Sequence, residues 1–175
     1  MIIENKCKTV CSFDFYKLFI SMDKAKQQHI TKKSNKETKA MKWYNKKQNT
    51  QYERATYEFS PYDGILTSGN TQYLCEVKLR EKYSNERMES LGGSILEFKK
   101  LSGILLEKDR ANDNRSILYF VYLKDCINVY KLSIDPTSYT WQAKWLPNND
   151  YDKEMVWKMV TNLPKEQIIK TIKYK

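Results

Sequence analysis

Residues 117–123, ILYFVYL, form an unbroken apolar run, and a strand of that composition has to be covered on both faces. It belongs in the interior of a sheet with further layers above and below, which points to the α/β class. Lys124-Asp125 turns it into a second strand at residues 127–132. Upstream, the period changes at Tyr52. Residues 52–59 are rich in β-formers, Ser60-Pro61 interrupts them, residues 62–68 begin a new extended run, and Gly69-Asn70 is a turn dipeptide before residues 71–79. Three consecutive antiparallel strands are the simplest arrangement.

Helical spacing surrounds these strands. Residues 12–22 and 36–47 show steps of three and four, and Met88, Leu91, Ile95, Phe98, Ser102 and Leu105 place one apolar stripe on a helix over residues 86–107. Gly92-Gly93 weakens that helix but permits close packing. Two further helices are expected at residues 151–161 and 165–172. The chain of 175 residues suits one domain that buries about two thirds of its unfolded surface. Its expected parts are a basic helical segment at 1–50, a core at 52–132 and a C-terminal cap at 133–175.

Charge narrows the partners. With 31 Lys and Arg against 21 Asp and Glu, the net charge is +10, which favours polyanions such as DNA or RNA. Residues 24–50 hold nine Lys and a single acid, Glu37. A solvated face is the ordinary reading of such a run; Lys39, Lys42 and Lys46 are its candidates for contact with nucleic acid. Cys7, Cys11, Cys75 and Cys126 are scattered without a CxxC pair, so neither a zinc site nor a disulfide framework is indicated. No stretch is apolar enough to span a membrane and the start, MIIENKCK, lacks a signal-peptide run. Gly92-Gly93 has neither the spacing nor the following Lys-Ser or Lys-Thr of a phosphate loop.

The chemically informative segment is SPYDGI at residues 60–65, followed thirteen residues after Asp63 by Glu76-Val77-Lys78. On a strand, Glu76 and Lys78 project to one face. Counting outward from the Gly69-Asn70 turn brings Asp63 opposite Glu76. Two converging carboxylates are hard ligands for Mg²⁺ or Mn²⁺, and the carbonyl of Val77 can complete a site that leaves room for water and phosphate. Lys78 at the rim can then orient and help deprotonate the attacking water.

This arrangement resembles the PD-(D/E)xK nuclease superfamily, which includes restriction endonucleases, Holliday-junction resolvases, phage exonucleases and the nuclease domains of recombination helicases. The resemblance runs from Tyr52 to about Leu132, with Pro61 one residue early because the sequence reads PYD. It implies an αβββαβ restriction-endonuclease-like core, a mixed sheet flanked by helices, with helical additions at both ends. It implies metal binding by Asp63 and Glu76 and a catalytic role for Lys78. Family members often add an acid upstream, for which Glu37 and Glu58 are the candidates, each also readable as a surface charge. They often add a polar group from the helix after the motif; on a continuous helix Lys99 has the favourable phase, while Glu97 and Lys100 point away. His29 invites comparison with the cap-snatching RNA endonucleases of segmented viruses, against the ordinary reading of an exposed histidine.

The expectation is therefore a Mg²⁺- or Mn²⁺-dependent nuclease, endonuclease- or resolvase-like, with DNA expected ahead of RNA, working as a possible homodimer or within a larger nuclease complex. A catalytically silent nucleic-acid-binding or virion-associated protein and a cap-snatching-like RNA endonuclease are the alternatives. The Lys-, Asn-, Ile- and Tyr-rich composition is a bias that AT-rich coding sequence produces, as in some bacteria, their phages and some eukaryotic parasites, and it does not choose among them. The expected compartment is the cytoplasm of a bacterial or phage-infected cell, or the nucleus of a eukaryote.

Overall fold

The computed structural model describes residues 24–56, 60–148 and 154–174; the helix expected at 12–22 lies outside them. Two compact units divide the chain, Met1–Asn35 and Lys36–Lys175. Helix α1 (Lys24–Gln48) begins in the first and ends in the second, which holds all the strands described below.

Helix α1 runs longer than the expected 36–47, and its end is built from local signals. Lys46 and Lys47 stand in the last turn, where cations suit the helix dipole. Asn49 takes a left-handed φ of 52°, and the Thr50 amide donates to the Asn45 carbonyl at 3.2 Å, closing the helix as Asn or Gly does at such ends. Met41 and Tyr44 are buried on one face, whereas Lys36, Lys39, Lys42 and Lys46 are exposed on the other.

Strands β1 (Gln51–Arg54), β2 (Gly64–Ser68) and β3 (Thr71–Leu79) form the expected antiparallel meander. The first two are shorter than the sequence suggested, because the chain bends at Thr56 after β1 and again from Pro61 to Asp63 before β2. Gly69, with φ 57°, supplies the positive φ that a two-residue hairpin turn needs. Strand β5 (Ser116–Tyr122) lies parallel to β3, and β6 (Cys126–Leu132) returns antiparallel beside it. The sheet order is β1-β2-β3-β5-β6-β9, with β9 (Ile168–Lys173) at the edge. This is an α/β protein with a mixed sheet, and its element order contains the α-β-β-β-α-β series expected from the sequence.

The expected helix over 86–107 is broken. Its residues fold as α2 (Asn85–Ser90), strand β4 (Ser94–Glu97) and α3 (Phe98–Arg110). Gly92 and Gly93 have φ of 83° and 101°, which no continuing helix tolerates, and a Cβ on Gly93 would run into the Leu163 carbonyl. The glycines admit a neighbouring strand, not a helix. The expected C-terminal helices are strands as well. Strand β8 (Met155–Leu163) pairs with β4 and with β7 (Gln142–Pro147) in a second sheet, and β9 (Ile168–Lys173), after a short 3₁₀ turn, pairs with β6 at the edge of the first. Trp157 faces Trp145 across β8 and β7, with ring centroids 5.3 Å apart, a cross-strand pairing that outweighs the helical spacing seen locally.

The main sheet is covered on both faces. On one side Met41 and Tyr44 of α1 meet Leu66, Cys75, Val77, Phe120 and Val129. On the other, Leu101 and Ile104 of α3 meet Leu74, Ile117, Tyr119 and Val121. The run at 117–123 is buried throughout, as its composition requires. By strand alternation, Glu76 and Lys78 project with Leu74 to the α3 side.

Candidate metal-binding and catalytic site

Asp63 sits at the bend where the chain enters β2, and its main chain is fixed on both sides. Its amide donates to the Cys75 carbonyl at 2.8 Å, and its carbonyl accepts the Ala55 amide at 2.9 Å and the Tyr52 hydroxyl at 2.8 Å. Its carboxylate Oδ2 accepts the Val77 amide at 2.6 Å. Asp63 is thus bracketed by Cys75 and Val77, level with Glu76, as the count from the turn predicts. The glycine that follows is required: a Cβ on Gly64 would collide with the Glu53 carbonyl oxygen and lie 2.5 Å from the Tyr52 ring. The Tyr52 phenol is held protonated by burial and by the Asp63 charge, so its hydroxyl remains a donor.

Glu76 is buried, at 5% exposure. Burial first, then the charge of Asp63, raises its pKa well above the carboxylate range, against the opposing pull of Lys100 and Lys78. The Lys100 ammonium from the first turn of α3 lies 2.7 Å from Oε2 of Glu76. Oε2 is buried, and this ammonium is the partner that meets it, held as an ion pair. Burial would lower the Lys100 pKa, but the charges of Glu76, Asp63 and Glu37 outweigh it and raise it. Lys78, half-buried on β3 opposite Val121, adds its charge to the field at Glu76.

The structure therefore gathers Asp63, Glu76, Val77 and Lys78, and adds Lys100. Lys99 is exposed. The inversion has a definite cause: the phase that favoured Lys99 assumed one helix from residue 86. With α3 starting at Phe98 and burying Leu101 and Ile104, Lys100 stands one turn before Ile104 and Lys99 points roughly opposite, at 100° per residue. The glycine pair was the signal that could have reset the count. Glu37 is buried on α1 instead of forming a surface charge, and its charge reaches Lys100 and Tyr52. Glu58 and the side chain of His29 lie outside the described residues.

Among the described residues, no three His, Cys, Asp or Glu side chains gather in metal-binding geometry. A cation here would rest on two carboxylates, the Val77 carbonyl and water. That donor set consists of hard oxygens and suits Mg²⁺ or Mn²⁺, and the buried Oε2 already draws a cation, the Lys100 ammonium. Cys75 faces the other side of the sheet, its thiol kept neutral by burial.

Neither a family model nor a curated protein sequence matches this chain. Among solved structures it is similar to Hjc, a Holliday junction resolvase from the archaeal hyperthermophile Archaeoglobus fulgidus, at 9% identity and a TM-score of 0.44, covering 81% of this chain and 91% of that one. A likeness this distant carries no residue roles across. Among the described residues, no helix is long and apolar enough to cross a membrane.

Proposed function

We propose that this chain is a metal-dependent nuclease that hydrolyses phosphodiester bonds in nucleic acid. The observation that carries the reading is the buried Glu76 carboxyl on a central strand, level with an Asp63 carboxylate that is itself fixed by the Val77 amide. Nothing in a simple binding protein for polyanions calls for two acids held together in this way.

In this reading Asp63, Glu76 and the Val77 carbonyl hold Mg²⁺ or Mn²⁺, which when bound supplies a Lewis acid for the phosphate and an acidified water. Lys78, as an ammonium, orients the attacking water and offsets the charge that develops on the phosphorane, and the proton of the water passes to solvent. Tyr52 and Gly64 keep Asp63 in place. The exposed Lys39, Lys42 and Lys46 of α1 provide contacts to the backbone of the polymer.

The test is incubation with a panel of linear, branched and single-stranded DNA and RNA, with Mg²⁺ or Mn²⁺ and an EDTA control. Metal-dependent cleavage that is lost in Asp63→Asn is expected. Metal-dependent cleavage that survives in Asp63→Asn, or no cleavage of any substrate in the panel, refutes the reading.

A further inference from the structure

Glu76 already has a cation beside it. The Lys100 ammonium is 2.7 Å from Oε2, and the two side chains differ in access: Lys100 is 31% exposed and Glu76 only 7%. A carboxylate holds Mg²⁺ or Mn²⁺ at roughly 2.0–2.2 Å. A divalent ion and an ammonium on the same oxygen would then stand within about 4 Å of one another, where like charges repel strongly in a partly buried site. One of the two cations has to leave. Glu76 is fixed in a central strand of the sheet, whereas Lys100 carries its charge on a flexible four-carbon stem that reaches solvent.

We propose that Lys100 is the resident counter-ion of the metal-free site, displaced from Glu76 when a divalent cation binds and thereby freed to meet the phosphate of the nucleic acid. The inference rests on the nuclease reading and adds its regulation. Metal loading comes first, because only then does Lys100 stop serving Glu76. The rival arrangement is a fixed tie in which Lys100 stays on Glu76 whether or not metal is present, joining α3 to β3.

Amine labelling separates the two. The full chain is saturated with Mn²⁺, with saturation followed by calorimetry, or held in EDTA. It is then pulsed with an acylating reagent above about pH 8, where Glu76 is ionised with or without metal, and modification of Lys100 is read by peptide mass spectrometry against the exposed Lys82. The expected result is a severalfold rise in Lys100 labelling on Mn²⁺ binding. Glu76→Gln should show the higher level without metal, since its amide no longer holds the ammonium. Mn²⁺ bound with Lys100 labelling unchanged or reduced overturns the exchange and leaves the nuclease reading standing. No Mn²⁺ binding at all overturns both.

Discussion

Glu76→Gln makes a sharp test of how the site is held before metal arrives. A carboxyl whose pKa is raised in the folded state, here from 4.5 to about 8 by burial and the Asp63 charge, keeps a proton that the unfolded chain has lost. Stability is therefore fully present below the unfolded value and declines as pH rises toward the folded one. The limiting slope for one proton is about 1.4 kcal/mol per pH unit. Across the whole window the loss amounts to about 5 kcal/mol, with the pull of Lys100 and Lys78 already contained in the folded value. The glutamine side chain mimics the neutral carboxyl at every pH. The assay is urea unfolding in EDTA between pH 5 and pH 9 for both proteins, read as the difference between them so that other titrating groups cancel. The variant should gain on the wild type as pH rises, with the gain levelling off above about pH 8. A difference that stays flat across this range would show that Lys100 keeps Glu76 charged at no cost, and the account of the buried carboxyl would be wrong.

Mn²⁺ added to the wild type should reverse the trend, stabilising it by about 2.7 kcal/mol at a hundred times the dissociation constant, with little effect on Glu76→Gln; thermal unfolding with and without metal checks this. Lys78→Ala should leave Mn²⁺ binding by calorimetry intact while cleavage falls by roughly 10² or more. Removing the charges of Lys39, Lys42 and Lys46 together should lower the slope of log affinity against log salt by up to about 0.9 for each duplex phosphate the helix no longer neutralises, and an unchanged slope would make that helix face merely solvated. Gly64→Ala drives a methyl into the Glu53 carbonyl and the Tyr52 ring; it should cost about 1–3 kcal/mol in denaturant unfolding and weaken Mn²⁺ binding, because Asp63 is the preceding residue.

What could be read in the sequence was whatever local chemistry decides. Strand β3 matches its expected span because the Gly69-Asn70 turn and the alternation after it set register without outside help, and the same turn aligned Asp63 with Glu76. Residues 86–107 were misread because steps of three and four occur equally in a short helix, a strand and a second helix set end to end. What separates them is the backbone of Leu163 against Gly93, seventy residues further along and invisible to any local window. Strands β8 and β9 likewise owe their form to distant partners. The errors at the site descend from this one. Once β4 is inserted, α3 restarts its own phase, and the lysine that reaches Glu76 becomes Lys100 in place of Lys99. Glu37 follows the same logic from the other side of the sheet. As the lone acid in a run of nine lysines it looked like a solvated charge, but Met41 and Tyr44, four and seven residues on, are buried. Spacings of four and seven put Glu37 on that same inward face. The apolar stripe of α1, and not its charge, was the feature that located its one acid near the site.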